Sequence, residues 1–181
     1  MHVRPLSVLL KIEAAVMLAA CLGFAQEPTT LAVKGDVLKP VQWSMEDLKK
    51  QFTKETQTIE FSIGKDKSQK KGTGIPLLSV IQAAGPKVEK TPKHHELTFL
   101  VFIEAGDSYR VFFSLAELLP QAGSAQAWLI WDVDGEPLSG KEAPFRLVVP
   151  SDRGHDRDIY GIATIYLVDG TRLATRLEAG P

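Results

Sequence analysis

Cysteine is nearly absent from this 181-residue chain: there is one, Cys21. No intramolecular disulfide can form, and beyond residue 21 no thiol is available as a nucleophile or a soft metal ligand. An excess of one charge sign is also lacking, since 21 Lys and Arg face 22 Asp and Glu for a formal net charge of -1. That balance gives no reason to expect a nucleic-acid partner or an acidic membrane surface. No apolar run is long enough to span a bilayer as a permanent helix. Phosphate-binding loops are missing too: Gly72-Thr73-Gly74 lacks the later glycine and the lysine of the nucleotide motifs. Neither Ser62 nor Ser151 sits in a nucleophile-elbow motif. What remains is a chain of 44% hydrophobic residues, enough for one domain held by an ordinary apolar core.

The amino terminus reads as separate from that domain. His2, Arg4 and Lys11 lead into the apolar stretch AAVMLAA at 14–20, and small then polar residues follow. This pattern predicts a secretory signal over residues 1–25, cut after Ala25, with 26–181 released to the periplasm or the exterior. Leu18-Ala19-Ala20-Cys21 also fits a bacterial lipobox. In that alternative the protein is a lipoprotein, touching a membrane only through a lipidated Cys21.

Short strands and short helices alternate along the rest. Residues 31–33 and 41–43 read as strands around Gly35 and Pro40. Ser44 caps a helix over 45–52 (MEDLKKQF), with Glu46 and Asp47 where the helix dipole favours them. The β-branched alternation at 58–63 predicts a strand, and the polar, glycine-punctuated 65–74 predicts an exposed loop. Pro76 opens a helix over 76–84 that Gly85-Pro86 stops, and 86–96 is a charged loop. Strands are expected at 97–104 and 109–113, then a helix at 115–119 between Ser114 and Pro120. Further strands fall at 127–133, 146–149 and 159–168, and the tail from Gly170 has no clear period. The class is α+β, with mixed and antiparallel sheets and short helices over a core of about 31–169.

Residue chemistry alone nominates no catalytic residue and no metal ligand. Adjacent His94 and His95 would point to opposite faces of a strand, and they read as exposed loop histidines. Asp132 and Asp134 read as turn carboxylates. One segment is unusual. After the apolar RLVVP at 146–150 come Asp152, Arg153, His155, Asp156, Arg157 and Asp158 in quick succession. Such a loop either pairs its own charges at the surface or grips an anion.

An ordered set of segments carries a resemblance: LAVKGDVLKPVQWSMEDLKKQF, GTGIPLLSVIQAAG, VFIEAGDSYRVFFSLAELLP, DVDGEPLSGKEAPFRLVVP and the GHDRDI loop. In that order and spacing they resemble the molybdopterin-binding domain of the sulfite oxidase family, and most of all its short, stand-alone exported members. The resemblance implies the sulfite oxidase molybdopterin-binding fold and makes molybdopterin the cofactor to consider. It also implies a cofactor site at Arg146, His155 and Arg157, with Asp107 and Tyr109 from a turn in which Ser108 replaces the family's glycine. The catalytic members hold molybdenum by a cysteine thiolate after the strand that here spans 59–63, and Ser62 lies nearest that position. A hydroxyl that stays protonated is a far weaker ligand, so a conventional molybdenum enzyme is not the expectation. Asp156 and Asp158 would also neutralise Arg157 or repel a phosphate. Three readings stand: an anion- or pterin-binding accessory module of an exported redox system, an active molybdopterin-dependent oxidoreductase, and a cofactor-free interaction domain. The last would meet an envelope redox or structural protein through the strands around Trp128 and Trp131.

Overall fold

The computed structural model describes residues 30–64, 66–123, 125–152 and 157–178. The leader, the cut after Ala25, Cys21 and His155 lie outside the described residues. One sheet contains β1 (Thr30–Gly35), β2 (Val41–Ser44), β5 (Phe99–Ala105), β6 (Arg110–Ser114) and β11 (Ile162–Asp169), in the order β2-β1-β11-β5-β6. Its neighbours are antiparallel except β1 and β11, which run parallel. The other contains β3 (Gln57–Ile63), β4 (Ser68–Pro76), β7 (Trp128–Ile130) and β10 (Arg146–Val148), ordered β10-β7-β4-β3 and antiparallel throughout. A two-stranded ribbon, β8 (Asp132–Val133) with β9 (Glu136–Pro137), completes the α+β architecture.

Period-two alternation explains how these strands bury one face. Along β5, Phe99, Val101, Ile103 and Ala105 are buried while Leu100, Phe102 and Glu104 are only partly covered. Leu31, Val33, Ile165 and Leu167 from the same sheet meet Ile75, Leu129 and Leu147 from the other in one apolar core. Full burial of each such side chain is worth about 1.5–3 kcal/mol. In the second sheet β7 and β10 are buried on both faces. Trp128, Ile130, Val148 and Phe61 form a separate cluster on its far side, and Arg146, two residues before Val148, shares that side. Trp128 and Trp131 are both buried, so they offer no contact surface.

Helices start where the sequence predicts. α1 (Met45–Gln51) is capped by Ser44, whose Oγ accepts from the Asp47 amide at 3.1 Å. α2 (Leu77–Ala84) follows Pro76 and ends at Gly85, where φ is 68°. α3 (Leu115–Leu118) opens with a capping box: the Ala116 amide donates to Ser114 Oγ, and the Ser114 amide donates to Glu117 Oε1 at 2.9 Å.

Three expectations are corrected. Most of the expected loop at 65–74 is strand β4, because Gly72 and Gly74 serve close packing rather than a turn. A Cβ at Gly74 would lie 2.2 Å from the Leu129 carbonyl oxygen, and one at Gly72 would press on Ile130 and Phe61. The expected strand over 127–133 breaks after Ile130, leaving β7 and β8 in different sheets. Asp132 and Asp134 fasten the ribbon to β4, accepting from the Thr73 and Lys71 amides at 2.9 Å. The Lys70 ammonium, bonded to Asp134 at 2.7 Å, and the Lys71 amide hold the Asp134 carboxyl below its usual range. Lastly, the unperiodic tail forms α4 (Gly170–Glu178), a surface helix with no buried residue.

Candidate functional site

β10 carries Arg146 into the interior beside Phe61, where only 4% of the residue is exposed. Its guanidinium lies over two rings, 4.5 Å from the Tyr160 centroid and 5.2 Å from that of Phe61. Arg146 Nη2 donates to Asp158 Oδ2 at 3.1 Å, and both side chains are almost sealed from solvent. A buried guanidinium requires such a partner, because an unpaired charge is costly in a low dielectric. One donor, Arg146 Nε, is buried without an acceptor.

Arg157 sits nearer the rim, its side chain 29% exposed. Its Nε and Nη2 donate to the two oxygens of Asp152 at 2.7 and 2.6 Å, a bidentate fork. Nη1 reaches Glu117 Oε2 at 3.2 Å, and the guanidinium stacks on Phe113 at 4.4 Å. The Asp152 bonds, ahead of the Glu117 contact, raise the Arg157 pKa above its already high ordinary value, so the cation is permanent. Glu117 is shared between two tasks: Oε1 closes the α3 capping box and Oε2 faces Arg157. Two guanidiniums thus face three carboxylates among the described residues.

Ser62 lies near this network. Its Oγ accepts from Gln69 Nε2 at 2.9 Å across the β3–β4 pair. Ser62, Val148, Pro150, Asp152 and Asp158 line a cavity of about 20 Å³, space for about one water. The structure therefore brings Ser62 to the same cavity as the carboxylates that pair with Arg146 and Arg157. Asp107 and Tyr109 stand apart from these bonds. They form a local turn in which Asp107 Oδ1 accepts from the Tyr109 amide at 3.0 Å, and Tyr109 is exposed. Neither has a hydrogen bond or ion pair to Ser62, Arg146 or Arg157 among the described residues. His155 lies outside the described residues, and the two other basic side chains expected of the site, Arg146 and Arg157, are both held by carboxylates.

Several members of this constellation escaped the sequence. Phe61 and Tyr160 read as strand residues, and their alternation gives no sign that they cage an arginine. Glu117 carried no reading in the sequence; it closes the helix cap with one oxygen and meets Arg157 with the other. His95 is the clearest departure. Expected on an exposed loop, it is 2% exposed in the 3₁₀ turn His95–Thr98. Its Nδ1 accepts from the Glu89 amide at 2.9 Å, leaving Nε2 to donate to Asp169 Oδ1 at 3.2 Å. Burial pushes the Asp169 carboxyl up, but bonds from the Thr171 hydroxyl and amide and from His95 outweigh it and leave the pKa lowered. No group of His, Cys, Asp and Glu suited to hold a metal occurs among the described residues.

The family model described as the oxidoreductase molybdopterin binding domain matches residues 23–157. Because Cys21 precedes it, the matched stretch contains no cysteine. No curated protein matches. Among solved structures, the chain is similar to the crystal structure of the sulfane dehydrogenase SoxCD from Paracoccus pantotrophus, with a TM-score of 0.58 at 20% identity. The likeness covers 79% of this chain and 39% of that one, so this chain spans well under half of its length. At that identity the shared property is the fold.

Proposed function

Because the chain belongs to the oxidoreductase molybdopterin-binding domain family, we propose that it serves an exported redox system as an accessory module and is not a conventional molybdenum enzyme. The observation that carries this reading is the pairing of Arg146 and Arg157 with the chain's own carboxylates around the cavity at Ser62. Molybdenum-loaded molybdopterin brings an anionic phosphate and a metal that the family's catalytic members hold by a thiolate. A protein site for it needs uncommitted cationic forks and, for the family's chemistry, a thiolate.

The residues present do not fit that group. Arg157 gives both arms of its fork to Asp152, and Arg146 is committed to Asp158 inside an aromatic cage. Asp152 and Asp158 put negative charge on the cavity wall, where a phosphate would be repelled. Ser62 offers a hydroxyl bonded to Gln69 in place of a thiolate. The orphaned Arg146 Nε is the one feature in the other direction, and a single buried donor does not make a cofactor cradle.

What these residues do is structural. Arg146 ties β10 to the end of the charged loop, and Arg157 ties the loop's two ends together and to α3 beside the other sheet. In this reading the domain acts by engaging a partner of an exported redox system and not by turnover. The test is sulfite-dependent reduction of an artificial acceptor by the purified protein, with assay of any pterin released on acid denaturation. Neither is expected. Turnover that follows pterin content would establish the active molybdopterin-dependent oxidoreductase instead.

A further inference from the structure

The two faces of the five-stranded sheet differ in what covers them. One meets the core through Leu31, Val33, Val101, Ile103, Ile165 and Leu167. On the other, strand register sets Leu100 beside Val168 and lines up Tyr166, Phe102 and Phe112 in one row across β11, β5 and β6. All five side chains are partly or fully open to solvent, Phe112 most of all at 63% exposed, and the Phe102 and Phe112 rings lie 5.9 Å apart. α1, α2 and α3 send their buried residues into the core and α4 buries none, so no described helix covers this face. A contiguous apolar patch of this kind marks a contact surface.

We propose that this face docks a second copy of the chain, the two sheets stacking about a twofold axis that runs parallel to the strands between β11 and β5. The inference stands apart from the reading of the arginine site. Under that symmetry β11 lies over the partner's β5, β1 lies over its β6, and each contact occurs twice. Tyr166 then covers the partner's Phe102, and Val168 covers the partner's Leu100. Lys34, which pairs with Tyr166 on β1, comes over the open ring of the partner's Phe112, a cation–π contact. Charge agrees with this register. Glu104 and Arg110 are bonded to each other at 2.9 Å, and they fall opposite Thr164 and Ala32, so no like charges meet. An anionic lipid surface fits less well. It calls for clustered cations, and Lys34 is the only cation of this face without an acidic partner among the described residues.

The area is sufficient for a reversible dimer. Four strands of five to eight residues, spaced about 4.8 Å apart, make a face of about 19 by 20 Å. Side-chain relief adds to that projection, so two copies bury about 1,000 Å², the size at which a specific interface begins.

Sedimentation of the protein purified from its own host, over about a hundredfold range of concentration, reads the association. The average mass should climb from one chain towards two. Phe112→Ser and Lys34→Glu alter exposed side chains and spare the core, and each should weaken dimerisation at least about fivefold. Backbone amide shifts between dilute and concentrated samples should fall on β5, β6 and β11. A single-chain mass at every concentration overturns the proposal, and so does a dimer that both variants leave unchanged. Monomeric protein that binds phosphatidylglycerol vesicles through Phe112 would give the face to a lipid surface and overturn it as well.

Discussion

Arg146→Ala should be among the most damaging single changes outside the apolar core. It removes the hydrogen-bonded pair with Asp158 at 3.1 Å and the guanidinium contacts with Tyr160 and Phe61 at 4.5 and 5.2 Å. It also leaves Asp158, only 6% exposed, without that guanidinium. A charge-assisted hydrogen bond is worth about 1.5–3 kcal/mol, and each desolvated cation–π contact about 0.5–2. These terms overlap, and removing one partner of a buried pair costs about 3–5 kcal/mol in total. A loss of about 3–5 kcal/mol is therefore expected, a large part of the 5–15 typical of a domain. Urea unfolding at pH 7 reads it as a lowered midpoint at unchanged slope. A double-mutant cycle with Asp158→Ala should return a coupling above about 1.5 kcal/mol. A loss below about 1 kcal/mol for Arg146→Ala, with no coupling, would refute the argument that the pair and its aromatic cage hold β10 to the following segment.

Three other outcomes are expected. Asp169 has a lowered carboxyl pKa, so its stabilisation is fully present above the unfolded value near 4 and fades as the pH falls through the folded one. Asp169→Asn should then lower stability at pH 7 and flatten its loss below about pH 4, as acid-titrated thermal melts would record; an unchanged acid limb contradicts this. Gly35→Ala should cost at least about 2 kcal/mol by urea unfolding, because φ is +94° and the added Cβ would lie 2.1 Å from the Leu167 carbonyl oxygen. Intact mass of the mature protein should begin at Gln26, and a diacylated Cys21 would select the lipoprotein instead.

The sequence made some of this legible and hid the rest for physical reasons. Ser44, Pro76 and Ser114 announced three helices because capping is local, written in residues within one turn of the start. The strands of the first sheet showed their alternation because one face is buried and the other is not. β4 stayed hidden, since its lysines are polar and its glycines look like punctuation. Only the partner strand shows that Gly74 is needed for close approach to Leu129. α4 is polar on average and buries no residue, its few apolar side chains being Leu173, Ala174 and Leu177, so no core-facing stripe drew notice. At the site, the charged loop raised the choice between internal pairing and anion binding, but not the partners. Asp156 and Asp158 were the expected neighbours of Arg157, but Asp158 bonds Arg146 and Arg157 bonds Asp152, while Glu117 comes from α3 and Phe113 from β6, distant in sequence. His95 was misjudged for the same reason: its burial depends on Asp169 at the end of β11.

The measurement that bears most directly on the central claim is the molybdenum-to-protein ratio of the protein purified from its own host, taken alongside sulfite-oxidising turnover of the same sample. Molybdenum absent or far below stoichiometric, with no turnover, is the result expected of a site whose guanidiniums are held by Asp152, Asp158 and Glu117 and whose matched domain contains no cysteine. One molybdenum per chain with sulfite-dependent turnover would contradict it.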